Sequence, residues 1–115
     1  MILMLRVLAE CPDAATAAAL SPRLLAAAAA WRAIESSPPE RYERMPELYE
    51  FTLLLSPPTA ETFDAVVASV PGRWTHGGDE DDRSSVWNRE SGATLLAPEV
   101  LWAELLRHRA VHDAG

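Results

Sequence analysis

Residues 2–10 alternate: Leu3, Leu5, Val7 and Ala9 form one apolar face, and Ile2, Met4, Arg6, Leu8 and Glu10 form a mixed one. A period of two predicts a strand with one face buried and the other partly so. The pattern recurs at 48–56, where Tyr49, Phe51, Leu53 and Leu55 oppose Leu48, Glu50, Thr52, Leu54 and Ser56. Between the two, Pro12 and Asp13 end the first strand and open a short helical stretch reaching Leu20. Ser21 and Pro22 then restart a helix as cap and first residue. Leu20, Leu24, Ala27, Ala28, Trp31 and Ile34 fall on one side of it, with Trp31 as a core anchor. Ser37, Pro38 and Pro39 forbid continuation past about Ser36. Residues 37–47 read as a charged surface connection with room for one helical turn at 40–45.

The second half opens with the cleanest amphipathic helix. Thr59 caps it, Phe63, Val66, Val67 and Val70 line one side, and Pro71 and Gly72 end it. A short strand centred on Trp74 follows, then a turn at Gly77 and Gly78 into the acidic run Asp79, Glu80, Asp81 and Asp82. Ser84 begins a further strand through Trp87, Gly92 supplies a turn, a short strand follows, and Pro98 opens a last helix. In that helix Leu101, Trp102, Leu105 and Leu106 face the core, and the chain from Arg109 onward frays.

The fold class this order predicts is α+β: a two-layer sandwich in a single domain spanning 1–115. The sheet is antiparallel or mixed, of four to five strands, with about three helices mainly on one face. The two best strands each carry a second, half-apolar face. A helix, another copy of the chain or a partner must cover part of it.

Composition narrows the classes of partner. The net charge is −7, all ten basic residues are arginine, and the pI is about 4.8. Such a surface repels nucleic acid and anionic membrane and attracts basic partners. Cys11 is the single cysteine, so an internal disulfide and a thiolate metal cluster are excluded. The opening apolar run is interrupted by Arg6 and is too short to span a bilayer, so it reads as a strand and the protein as cytoplasmic.

Candidate chemistry is sparse. His76 with the acidic run suggests a divalent metal, but the acids are contiguous instead of alternating as in a calcium loop. The run reads instead as a solvated hairpin turn or an electrostatic contact surface. His108 and His112 stand four apart, as on one helix face, without the glutamate of a zinc-protease motif. No serine lies in a nucleophile elbow, and Ser84 and Ser85 await a histidine partner. The paired glycines lead into acids that repel phosphate. No catalytic residue, metal ligand or cofactor is assigned. Trp87, Asn88 and Arg89 either tie down the hairpin or form a recognition patch, since tryptophan and arginine often carry binding energy.

Two stretches, YEFTLLLSPPTAETFDAVVASVPGRW and VWNRESGATLLAPEVLWAELL, give the chain a resemblance to small, acidic immunity-type proteins of bacterial polymorphic toxin systems. The resemblance implies a binding protein that masks the active surface of a basic toxin or effector, as a monomer or homodimer. The expected contact residues are Asp79, Glu80, Asp81, Asp82, Trp87 and Arg89. Two other readings stand beside it: a regulatory or ligand-binding domain, dimeric through the half-apolar face, and a small enzyme with a pocket around Trp74, His76 and Trp87.

Overall fold

The computed structural model describes residues 1–70, 74–79 and 81–109. Its strands are β1 (Ile2–Glu10), β2 (Ile34–Arg41), β3 (Leu48–Leu55), β4 (Trp74–Gly78), β5 (Asp82–Asn88) and β6 (Val100–His108). They form one sheet in the order β2-β3-β1-β6-β5-β4, with every neighbouring pair antiparallel. Helix α1 (Ala14–Ala27) joins β1 to β2 with β3 inserted between them, a split β-α-β arrangement. Helix α2 (Ala60–Ala68) carries the chain from β3 across β1, β6 and β5 to the far edge. The α+β class is as expected. Among the described residues, six strands and two α-helices stand where four to five and about three were expected.

Alternation decides which side of the sheet is dry. Leu3, Leu5 and Val7 of β1 lie level with Leu55, Leu53 and Phe51 of β3 on one flank, and Leu5 and Val7 with Leu105 and Ala103 of β6 on the other. These join Ala17, Leu20 and Leu24 of α1 and Phe63 and Val66 of α2 in one buried core. Both helices therefore cover the same face. Asp13 caps α1 by accepting from the Thr16 amide (2.8 Å), and Thr59 caps α2 by accepting from the Thr62 amide (3.2 Å).

Three segments depart from the expectation. The chain forms one helix from Ala14 to Ala27 that passes through Pro22 on its exposed side, where the ring forfeits one backbone bond without meeting the core. Ser21 is no cap; it is buried, and its hydroxyl donates to Glu35 (2.5 Å). Trp31 follows in a short 3-10 turn and is only partly buried against the core.

The supposed connection at 37–47 begins as β2, an edge strand whose pairing with β3 slips on either side of Ser37. An edge is the one place in a sheet where Pro38 and Pro39 are tolerated.

The supposed last helix is β6, in the middle of the sheet between β1 and β5. The helices cover only one face of β6, but Trp102 and Leu106 on the other face are apolar too, so the strand lacks clean alternation and its run mimics a helical pattern. Its partner register slips between Leu8 and Ala9, so that Ala9 faces Val100, Leu8 faces Trp102, and Leu101 is left as an extra residue. Leu101 is consequently outside the core, whereas Leu105 is inside it.

Gly92 has the left-handed φ (+88°) expected of it, but it closes a 3-10 turn at Arg89–Ser91. A loop that buries Leu95 and Ala97 follows, where a short strand was expected. Pro71, Gly72 and Arg73, expected to end α2 and begin β4, lie outside the described residues. No helix among those described is long and apolar enough to cross a membrane.

Candidate functional site

Asp79, Asp81 and Asp82 of the acidic run lie at the tip of the β4–β5 hairpin. Gly78 takes a left-handed φ of +81°, and a Cβ there would lie 1.9 Å from the Asp82 carbonyl oxygen, so the turn requires glycine. One carboxylate oxygen of Asp79 accepts from the amides of Asp81 (2.9 Å) and Asp82 (3.0 Å). Asp81 pairs with Arg109 at 3.4 Å, and both are well exposed. Glu80 lies outside the described residues. Among those described, no three His, Cys, Asp or Glu side chains are gathered to hold a metal ion.

Beside this tip, on the helix side, a broad groove is lined by His76, Asp79, Asp81, Arg83, Arg107 and Arg109, among others. Trp74 and Trp87, expected around a pocket with His76, are not among the residues that line this groove. Ser85 does find a histidine: its hydroxyl lies 2.6 Å from His76 Nδ1. Ser85 is 0% exposed, which bars its oxygen from attacking any substrate. The cations of the groove have partners. Arg83 donates to Asp64 (2.8 Å), and Arg107 Nε donates to the Pro58 carbonyl (3.1 Å).

The expected contact residues do not form one patch. Trp87 faces the helices and is fully buried, which corrects its assignment as a surface anchor. Its large indole on the core side of β5 is worth more as packing than as display. Arg89 bonds Glu10 and the Pro98 carbonyl at the opposite end of β5 from the acidic tip. Six residues of extended chain separate those ends by about 20 Å. His108 lies on strand β6, so the helical spacing argued for it with His112 does not hold; His112 is outside the described residues.

Neither helix covers the second face of the sheet. Ile2, Met4, Arg6 and Leu8 of β1, Leu48, Glu50, Thr52 and Leu54 of β3, and Trp102, Glu104 and Leu106 of β6 point to it by register. Val86 and Asp82 extend it onto β5. At its centre Arg6 lies 3.2 Å from Glu50 and 3.4 Å from Glu104, with its guanidinium 5.4 Å from the centre of the Trp102 ring. One positive charge is thus shared between two carboxylates, with Met4, Leu54, Val86, Trp102 and Leu106 as the apolar part of the same face.

At the end of this face away from the acidic tip is a groove of about 470 Å³, lined by Leu8, Tyr42, Met45, Leu48, Leu101 and Trp102, with Arg6, Asn88 and Glu90 at its polar margin. Sequence reasoning missed this groove because it placed Leu101 and Trp102 on a helix. The available signal was the mixed face of β1, where Leu8 and Arg6 needed a partner.

Elsewhere, Arg23 grips Glu99 through two hydrogen bonds (2.7 and 3.2 Å) and holds that carboxyl below the usual range. Burial raises the Cys11 thiol, and the negative charges of Glu99 and Asp13 raise it further. Comparison with family models, with curated proteins and with solved structures finds no match to this chain.

Proposed function

We propose that the protein is a cytoplasmic binding module that masks a basic surface on another protein, as an immunity-type inhibitor masks a toxin or effector. The observation that carries this reading is the uncovered sheet face. It combines an apolar floor (Met4, Leu54, Val86, Trp102 and Leu106) with carboxylates at Glu40, Glu50, Glu104 and Asp82; Arg6 lies at its centre, and Arg41 and Arg44 stand beside Glu40 and Glu50 at the β2 edge. Apolar area of this kind supplies binding energy, while the carboxylates select cationic partners and repel nucleic acid. A second copy of the chain is disfavoured as the occupant, because a two-fold pairing sets this face, with its excess of carboxylates, against itself. The acidic hairpin tip adjoins the same face through Asp82, level with His108 and Ile2 across β6, and steers the encounter.

The test is affinity capture with the purified chain from its native host, followed by activity assays on whatever basic protein is retained. The expected result is a basic partner whose activity falls in stoichiometric proportion to added chain. Recovery of no basic partner, together with turnover of a small molecule by the purified chain, would overturn the reading and promote an enzyme.

A further inference from the structure

The groove walled by Tyr42, Met45, Leu101 and Trp102 does more than continue the uncovered face. We infer that it is the anchor pocket of that face, and that its occupant is one large apolar side chain, aromatic by preference, carried on a basic loop of a protein partner. The inference rests on the binding-module reading above and names the chemistry of the contact.

The floor is Leu8 and Leu48, which are 6% and 1% exposed, so the groove is backed by packed sheet and keeps its shape without a ligand. Trp102 is fixed in place because Arg6 lies over its ring and is itself held between Glu50 and Glu104. Tryptophan, tyrosine and arginine are the residues that most often dominate binding energy, and Trp102, Tyr42 and Arg6 meet in this one recess. Met45, 41% exposed at the mouth, is an unbranched thioether able to conform to different rings.

Charge chooses the loop that bears the anchor. Arg6 is bracketed by Glu50 and Glu104 on the adjoining face, an excess of one carboxylate beside the recess, and Glu90 lines the recess itself. Arg89 beside Glu90 is taken up by Glu10. A loop with arginine or lysine flanking the anchor meets this excess favourably, and an acidic or phosphate-bearing ligand does not. Continuity points to a protein over a free small molecule: Arg6, Leu8, Leu48 and Trp102 belong both to the groove and to the wider face, so an occupant is in contact well beyond the recess.

The probes are three capped tripeptides, Arg-Phe-Arg, Arg-Ala-Arg and Glu-Phe-Glu, titrated into the isotope-labelled full chain and followed by amide and indole NMR shifts. The expected result is saturable shifts at Leu8, Leu48, Tyr42 and the Trp102 indole with Arg-Phe-Arg, at least about tenfold weaker with either control. Met45→Arg, an exposed change that sets a like charge at the mouth, should remove binding while leaving the rest of the spectrum in place. Trp102→Ala should do the same where it folds. Shifts confined to the acidic tip, or equal responses to Arg-Phe-Arg and Glu-Phe-Glu, would overturn the pocket. If a captured partner is inhibited equally by the parent chain and Met45→Arg, the binding reading stands and the pocket falls. If no partner is captured but the titration localises to the groove, the reverse holds.

Discussion

The guanidinium carbon of Arg83, on β5, lies 4.1 Å from the centre of the Phe63 ring, on α2. That contact ties the second helix to the strand bearing the acidic tip. Phe63 is 0% exposed, so Phe63→Ala should cost about 3–5 kcal/mol in urea unfolding, counting the cavity left behind. Arg83→Ala should cost about 0.5–2 kcal/mol, the range of a cation over a partly shielded ring. Asp64, also bonded to Arg83, is 62% exposed, and Asp64→Ala should change stability by less than about 1 kcal/mol. A double-mutant cycle showing stronger coupling of Arg83 to Asp64 than to Phe63 would contradict this ordering.

Gly78 and Gly92 both have positive φ but should respond differently to alanine. At Gly92 nothing lies within 4 Å of the added Cβ, so the cost is only that of a left-handed residue, about 1–2 kcal/mol. At Gly78 the Cβ collides with the backbone of Asp82, and the hairpin must shift. Gly78→Ala should therefore be the more destabilising, and hydrogen exchange should accelerate in β4 and β5 first. Equal melting temperatures for the two variants would refute this.

Two carboxyl groups shape the acid limb of stability. The Thr16 amide and hydroxyl lower Asp13, and Arg23 lowers Glu99. A depressed carboxyl contributes stability above its unfolded pKa and loses that contribution as pH falls through the folded value. Urea midpoints should accordingly decline from about pH 5 downward, within the ordinary carboxylate range. The decline should be shallower in Asp13→Asn and Glu99→Gln. Slopes identical to the parent chain in both variants would refute the assignment.

Cys11 should be a slow nucleophile. Its thiol is 1% exposed and its pKa is raised, first by burial, so little thiolate forms near neutrality. Iodoacetamide labelling at pH 8 should be far slower than for a free thiol and should accelerate with urea in step with unfolding. Labelling of the native chain at the rate of a model thiol would contradict this placement.

The acidic tip should act on association rates. Asp79 must become asparagine to keep its bonds to the following amides, and the other three acids are replaced by neutral polar residues. The fourfold variant should fold normally and bind a basic partner more slowly. The deficit should shrink with salt, as the Debye length falls from about 10 Å at 0.1 M to about 3 Å at 1 M. Trp87→Ala should instead destabilise the fold by about 3–5 kcal/mol and leave no distinct dissociation phase. A deficit that persists at 1 M salt would show direct contact by the tip.

Strands β1 and β3 and helix α2 were legible because each has one wet and one dry side, so that local period and burial agree. Strands β2 and β6 were not, for opposite reasons. β2 is almost entirely exposed and exists only because β3 offers it an edge; its Ser36, Ser37, Pro38 and Pro39 carry no strand signal. β6 is apolar on both sides, and Leu101, Trp102, Leu105 and Leu106 fit a helix as well as a bulged central strand. Of the candidate contact residues, Asp79, Asp81 and Asp82 do lie at an exposed turn. Trp87 could not be told from a surface tryptophan, because alternation specifies two sides of a strand without saying which side the helices take.

The central position of β1 has a consequence for biogenesis. Its partner on one side, β6, is the last in sequence of the described strands: Arg6 and Glu104, which bond across that junction, are 98 residues apart. Until β6 emerges from the ribosome, β1 to β3 and the β4–β5 hairpin are two fragments with no ladder between them. The proposed contact face is also completed at that step, since Trp102 and Glu104 arrive on the strand that closes the sheet. A chain stopped upstream of residue 100 would lack the strand that joins these two fragments and, with it, Trp102 and Glu104 of the proposed contact face.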